Sequence, residues 1–239
     1  MLPIARSELI QIFRNRAVLI TSLVMPVAAG AFFIYRRDTF QDLGSLGYIA
    51  AILVFTIAAF SLYATTVTTL AARRQNLFLK RLRSTAAGDT AILTGLVLPV
   101  SVISVAQIAL ILGVFITLSG APDNALLLIV AIIAAFVMML ALAIATAGIT
   151  NSPEHAQVTT LPLSLGVVVL ASWIGLTGTE DLALLKRLLP GGAATELVMN
   201  AWNGGVPLTE SLLLLAPTLG WVAVAVALAS RMFRWEPRR

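Results

Sequence analysis

The sequence predicts an all-α polytopic membrane protein with six transmembrane helices, and three observations lead to this fold class. Of the 239 residues, 59% are hydrophobic and only 11% are charged, whereas about a quarter of the residues of a soluble domain are charged. The mean hydropathy is +0.96. The apolar residues also form long charge-free runs, each long enough for a helix of about 20 residues to cross a bilayer. Lipid is therefore the main solvent that this composition fits.

Six charge-free runs define the predicted spans, and the whole chain, residues 1–239, is expected to form one transmembrane domain. The expected bounds of the spans are about 17–35, 46–70, 91–118, 125–150, 157–178 and 211–230. Turn residues between Ser119 and Asn124 separate the third run from the fourth. A cleaved signal peptide is the alternative for the first run, because that run follows basic residues and contains Ala29-x-Ala31. Its length favours a span.

The distribution of Lys and Arg predicts the orientation. With the N-terminus in the cytoplasm, the inner segments contain 12 of the 16 basic residues, and the outer segments contain Arg36, Arg37, Lys186 and Arg187. Cytoplasmic segments of membrane proteins are enriched in Lys and Arg. Both chain ends are therefore expected in the cytoplasm. Anionic lipid headgroups, and not nucleic acid, are the expected partners of the basic residues.

Several kinds of chemistry are excluded by the residues that the sequence lacks. The chain has no cysteine, which excludes disulfides, thiolate metal sites and a cysteine nucleophile. It has one histidine, His155, and no predicted metal or catalytic site. No ionisable side chain lies deep in a predicted span, which argues against a proton-driven carrier. No G-x-x-x-x-G-K-[ST] motif occurs, so the chain is expected neither to bind ATP by a P-loop nor to be an enzyme.

The N-terminal segment, residues 4–16, is predicted to be an amphipathic elbow helix on the membrane surface. Leu9, Ile12 and Phe13 share one apolar stripe, and Arg6 and Arg14 lie mostly elsewhere. Arg16, at the end of the segment, completes the set of candidate interface residues. Such a helix lies in the interface with its basic side toward headgroups. The alternative is a basic flank that only fixes the orientation.

The segment after the second span, residues 73–88, combines five basic residues with an apolar stripe. Phe78, Leu79, Leu82 and Ala86 follow helical spacing. A topology signal needs charge alone, whereas a short helix that binds a groove of another protein needs both features. The candidate contact residues are Leu79, Lys80, Arg81, Leu82 and Arg83. The alternative is a charged loop lying on lipid headgroups.

The outer region, residues 180–207, contains an apolar stretch that is too short to cross the membrane. It begins after Pro190 and Gly191 and ends at Trp202. We predict a re-entrant or interfacial segment that forms an external gate, with Trp202 as an interfacial anchor. A surface amphipathic helix is the alternative.

These features together resemble the ABC-2 type permeases, the membrane subunits of bacterial ATP-binding cassette exporters. The resemblance includes the elbow, Pro26 in the first span, the Leu-Lys-Arg-Leu-Arg-Ser-Thr segment at Leu79–Thr85, and the Leu189-Pro190 and Gly204-Gly205 pairs before the last span. The coupling segment resembles most closely that of the drug-exporter branch, such as daunorubicin-type permeases. The sequence departs from the family where Arg73 to Phe78 replace an acidic residue and a Gly-Thr, and where Ala86 replaces a proline.

The resemblance implies a type V exporter fold in a bacterial plasma membrane. Two cytosolic ATPase subunits, which hold ATP and Mg²⁺, would serve two permease copies or this chain and a related permease. Leu79, Arg81, Leu82 and Arg83 would contact the ATPase. The implied cargo is a hydrophobic or amphipathic drug-like molecule, as in drug efflux and antibiotic resistance. Alternatives are a lipid, glycolipid, polysaccharide or haem as cargo, or a membrane assembly factor that transports nothing.

Hydroxyl side chains are the candidate lining of a translocation path. They are Ser61, Thr65 and Thr68 in the second span and Thr159, Thr160 and Ser164 in the fifth. Hydroxyls within spans commonly bond to their own backbone or to a neighbouring helix instead.

Overall fold

The computed structural model describes residues 2–14, 16–84, 88–233 and 235, and it leaves the side chains of residues 2, 3, 17, 18 and 21 undescribed. All regular secondary structure of these residues is helical, which confirms the predicted all-α fold class. The elements are α1 (Leu2–Arg14), α2 (Arg16–Leu19), π1 (Ile20–Val24), α3 (Met25–Tyr35), α4 (Arg37–Leu43), α5 (Leu46–Thr56), π2 (Ile57–Ala64), α6 (Thr65–Gln75), α7 (Phe78–Arg83), α8 (Asp89–Ser119), α9 (Ala125–Ile149), α10 (Pro153–Thr177), α11 (Ala183–Leu188), α12 (Gly192–Asn203), α13 (Leu208–Leu213) and α14 (Leu215–Met232).

Five stretches of helix within the described residues are long and apolar enough to cross a membrane. They are Leu46–Gln75, Asp89–Ser119, Ala125–Ile149, Pro153–Thr177 and Leu208–Met232, and they match the predicted spans two to six. The first predicted span is helical as α2, π1 and α3, but its apolar part, Ser22–Tyr35, is shorter than the other five. The structure thus supports a polytopic fold, while the count of six remains a prediction.

The span Leu46–Gln75 forms the centre of the bundle. It is buried over 89% of its most apolar window, compared with 17% for the outermost span Leu208–Met232. Helix α5 packs against α10 and α12, and π2 packs against α8, α9 and α10. A helix that is apolar all round is expected to be buried by other helices. This span therefore contacts most of the other long helices of the bundle.

Polar caps fix where three spans begin. The side chains of Ser45, Asn124 and Ser152 accept hydrogen bonds from backbone amides at the first turns of α5, α9 and α10. These bonds satisfy donors that have no partner within the helix.

The bundle has two ends with different contents. One end, the elbow end, contains α1, α7, the turn between α9 and α10, and Trp235. The other, the cap end, contains the turn before α5, the turn between α8 and α9, and the C-terminal part of α12.

Candidate functional site

Helix α7 lies within the predicted coupling segment, directly after the central span. Leu77 separates α6 from α7 in a left-handed conformation with φ 55°. A non-glycine residue at positive φ is uncommon and marks a sharp turn. Residues 85–87 of the predicted segment 73–88, including Ala86 of the apolar stripe, lie outside the described residues.

The apolar side of α7 packs on its own bundle. Leu79 has no exposed surface, and the partly buried Phe78 and Leu82 pack against the hydrophobic core. Because its own chain covers Leu79, this residue is not available to a second protein in this structure, although the sequence suggested such a contact. The stripe instead holds the short helix in a fixed position against α6 and α8.

The other side of α7 presents basic side chains to solvent. Lys80, Arg81 and Arg83 are exposed. Arg81 donates to the Asn76 carbonyl at 3.0 Å, and Arg83 donates to Asp89 at 3.1 Å. The guanidinium of Arg83 also lies 5.0 Å from the ring centre of Trp235. The elbow end therefore has a short, rigidly seated helix with a basic outer surface.

The elbow helix α1 packs against α8 with a different face than the sequence suggested. Ile12 is buried together with Glu8, one turn away. Leu9 and Phe13 point away from the bundle and are 39% and 55% exposed. Ile12 of the predicted stripe thus packs on the protein, whereas Leu9 and Phe13 are free to contact lipid. Arg6, Arg14 and Arg16 are exposed.

An ion pair joins the elbow to the end of the central span. Arg73 Nε lies 2.8 Å from one carboxylate oxygen of Glu8, and an Arg73 terminal nitrogen donates to the other at 2.8 Å. The same guanidinium contacts Gln11 and lies 5.6 Å from the ring centre of Phe78. Since Glu8 is 1% exposed, the pair is shielded from solvent and from screening by salt.

The next residue, Arg74, joins the central span to α9. Its guanidinium donates to the carbonyls of Ala147 and Thr150 at the end of α9, and its exposure is 4%. These carbonyls have no partner within their helix, and a cation there also complements the helix dipole. The two consecutive arginines thus tie α6 to α1 and to α9.

One candidate path hydroxyl, Ser61, belongs to a buried polar cluster in the bundle interior. Its hydroxyl contacts Ser104 at 2.9 Å and donates to the Gln107 side chain. The Gln107 amide donates to the Ser22 carbonyl at 3.1 Å. Ser22 lies in π1 and Ser61 in π2, so this cluster holds together the two regions where the helices widen.

The other five candidates also have hydrogen-bond partners within the protein. Thr65, Thr68, Thr159 and Thr160 donate to carbonyls of their own helices, and Ser164 donates to Ala59. Only Thr68 among the six lines one of the described cavities, at the elbow end. Their role in a path remains a prediction.

Helices α11 and α12 form a short helical hairpin at the cap end. A Cβ atom on Gly191, before α12, would lie 3.0 Å from Phe55 and 3.5 Å from Val167. Phe55 lies about 14 Å along its helix from Leu46, and Val167 about 15 Å from Thr177, at 1.5 Å per residue. The hairpin tip thus lies inside the bundle, about 14–15 Å from these two helix ends. Its re-entrant position in a membrane remains a prediction.

The far end of α12 is held at the surface of the cap end. Asn203 accepts from the Gly47 amide at 2.9 Å and donates to Ser45 at 3.0 Å. The amides of Asp123 and Asn124 donate to the carbonyls of Trp202 and Ala201. Helix α12 therefore runs from the interior to the surface, packed against α5 and α9, and is not a surface helix.

The three residues predicted for an external gate lie along this hairpin. Gly191 begins the turn into α12 with φ 95°, and Pro190 precedes it, partly buried. Trp202 is 4% exposed and packs on Phe115 with ring centres 4.8 Å apart. Because the indole is buried, Trp202 packs against other residues of the protein and does not act as an interfacial anchor. A gating role remains a prediction.

Two outer basic residues have structural partners. Lys186, 1% exposed, donates to Thr177 and to the Gly178 carbonyl at 2.8 and 2.7 Å, where α10 ends. Arg187 forms two hydrogen bonds of 2.7 and 2.6 Å with Glu196. These bonds to the carboxylate raise the pKa of Arg187 above its ordinary value. Lys186 thus attaches α11 to the end of α10, and Arg187 attaches α11 to α12.

Some of these residues had no recognisable signal in the sequence. Glu8 is a single acidic residue among basic ones, and its partner Arg73 lies 65 positions away. Arg73 and Arg74 gave only a topology signal. Within the described residues, no group of three or more Asp, Glu or His side chains is arranged to hold a metal ion.

The fold and its two ends define a polytopic helical membrane subunit with a seated basic helix at one end and a short helical hairpin at the other. A family model described as "ABC-2 family transporter protein" matches residues 35–231. The chain therefore belongs to the ABC-2 transporter family and is a permease subunit of an ABC transporter. The match begins at residue 35, the last residue of the first predicted span. Neither the comparison with curated proteins nor that with solved structures gives a match.

Proposed function

We propose that this permease subunit belongs to an ATP-driven exporter that moves a hydrophobic or amphipathic small molecule out of the cytoplasm or the inner leaflet. The elbow end faces the cytoplasm in this proposal, and a separate ATPase docks there. The observation that carries it is α7, whose apolar side is fixed on the bundle while Arg81 and Arg83 are exposed. A docked subunit that moves would therefore move α7 with it.

The connections of α7 support a mechanical role. It continues from the central span through Leu77. Arg73 connects the same point to the elbow, and Arg74 connects it to α9. Closure of two ATPase subunits would push on α7, and these charged contacts would pass the displacement to three helices at once. Two ATPase copies and a second permease, identical or related, complete this proposal.

Hydroxyls that are already hydrogen-bonded and an apolar groove on the bundle surface support an apolar cargo. The candidate path hydroxyls already have partners within the protein. A groove of about 810 Å³ between α8 and α9 is lined almost entirely by apolar side chains, among them Val105, Leu112 and Phe136. Such surfaces favour hydrophobic or amphipathic molecules over ions, and lipids or glycolipids remain the second class of cargo.

The test is the charge reversal of both exposed arginines, Arg81→Glu and Arg83→Glu, in the chain co-expressed with its candidate ATPase. The matched control is Arg36→Glu with Arg37→Glu at the cap end. Because like charges across an interface oppose binding, we expect the first variant to retain the ATPase at least about tenfold less well and the control to retain it fully. Co-purification from the membrane measures this.

Equal retention of the ATPase by both variants would contradict docking at α7. Turnover in liposomes then separates the cargo classes, since a drug-like substrate should stimulate ATP hydrolysis in lipid of constant composition. An ATPase that binds but responds to neither drugs nor lipids would favour an assembly factor.

A further inference from the structure

A cavity of about 760 Å³ opens at the elbow end between the elbow and the central span. Its walls come from α1, from Arg16 at the start of α2, from the last turns of α6 and from Pro153 at the start of α10. Polar and apolar surface contribute about equally to the lining, and the polar residues include Gln11, Thr69 and Asn76. The cavity thus differs from the apolar surfaces that spans normally turn to lipid.

The cavity has an excess of positive charge. Glu8 is the only acidic residue among the described residues that line it, and the adjacent Arg73 neutralises its charge. Arg14 and Arg16 also line it, and no carboxylate within the described part of the chain forms an ion pair with either. At the start of α10, the acidic Glu154 follows Pro153 but does not line the cavity. The site therefore favours a ligand with negative charge.

An exposed apolar surface continues from the cavity along the first predicted span. Ile20 lies about one turn after Arg16 and is 52% exposed, and Val24, about one turn further, is 50% exposed. Phe13, before Arg14, is 55% exposed. A molecule with an anionic head and apolar tails matches this order of a charged pocket followed by an apolar helix face.

We propose that this cavity binds the phosphate headgroup of an anionic phospholipid, with Arg14 and Arg16 on the phosphate and the acyl chains along Ile20 and Val24. Basic pockets between helices at the cytoplasmic side of a membrane are suited to such headgroups. The lipid contacts both the elbow and the end of the central span. The proposal depends on membrane insertion and not on cargo or direction of transport, so it can fail or hold independently of the proposed function.

The test measures lipid retention by the purified full chain with native mass spectrometry, in detergent containing phosphatidylglycerol or phosphatidylcholine. Each arginine contributes about fivefold to headgroup affinity, so Arg14→Gln with Arg16→Gln should weaken phosphatidylglycerol binding about 30-fold. Phosphatidylcholine binding should change little. The matched control is Arg6→Gln with Arg231→Gln, two exposed arginines of the same end that do not line the cavity, and it should bind as the unaltered chain does.

A second variant tests the cavity without changing charge. Thr69→Phe places a large side chain in the cavity and should also weaken phosphatidylglycerol binding. Unchanged phosphatidylglycerol binding by Thr69→Phe would overturn the proposal. An equal loss of phosphatidylglycerol binding in the two double arginine variants would also overturn it, because general surface charge would then explain the binding. A free anion is the alternative ligand with the same chemistry, and inorganic phosphate at millimolar concentration is the probe for it. Phosphate binding with the same dependence on Arg14 and Arg16, without preference for the lipid, would assign the site to a free anion and overturn the lipid assignment.

Discussion

Substitution of Glu8 by alanine tests how the elbow is held on the bundle. The carboxylate is 1% exposed and pairs with Arg73, whose side chain is 15% exposed. Glu8→Ala leaves that guanidinium nearly buried without its carboxylate. Removal of one partner of a buried ion pair costs about 3–5 kcal/mol, because the remaining charge keeps its desolvation penalty. For a chain of this size, the melting temperature should fall by roughly 10 °C.

The assay is thermal unfolding in one detergent, followed by size-exclusion chromatography of the fluorescently tagged chain. Glu8→Ala and Arg73→Ala are measured singly and together, because a double-mutant cycle isolates the interaction of the pair. The double variant should be no less stable than Glu8→Ala alone, since it carries no unpaired charge. Asp38→Ala is the control, because Asp38 is 83% exposed and 3.6 Å from Arg37. Its melting temperature should change by less than about 2 °C.

Two results would refute this reasoning. If Glu8→Ala and Asp38→Ala have equal effects, the Glu8 carboxylate is not a buried partner in the membrane. If the two single effects add in the double variant, the residues do not interact.

The remaining predictions concern the hairpin and the interior cluster, and thermal unfolding in detergent measures both. In Gly192→Ala the new Cβ would lie 1.7 Å from the Lys186 carbonyl oxygen, so stability should fall by about 3 kcal/mol. Gly166→Ala is its control, because that helical site has open space and alanine should stabilise it slightly; equal losses would argue against this hairpin geometry. Gln107→Leu removes the partner of Ser61 and should cost about 1 kcal/mol, and an unchanged melting temperature would mean that the cluster does not form.

Five of the spans could be predicted because each depends on local properties of the chain, and twenty consecutive apolar residues are recognisable without their neighbours. The caps at Asn124 and Ser152, which fix where α9 and α10 begin, were not predicted. The short apolar helix before the last span was predicted for the same reason as the spans, since its apolar stretch is too short for a span and has glycine at both ends. Its re-entrant or interfacial position in a membrane remains a prediction.

The faces of the short helices could not be predicted with the same success. Periodicity showed that Leu79 and Leu82 share one stripe of α7. It also showed that the three apolar residues of α1, Leu9, Ile12 and Phe13, share one stripe. It did not show whether the stripe contacts the protein's own bundle, another protein or lipid, because all three surfaces accept apolar side chains. The structure places Leu79 and Ile12 against the bundle and leaves Phe13 exposed.

By itself, the sequence determined the membrane-embedded all-α class, the five long spans and the position of the basic helix, because hydropathy and charge act through the residues present in each segment. Only the tertiary structure decided which charges are paired. Glu8 with Arg73, Arg74 with the end of α9, and Lys186 with the end of α10 join residues of different segments. The energy of a buried charge depends on its partner's distance, and no local pattern in the chain records that distance.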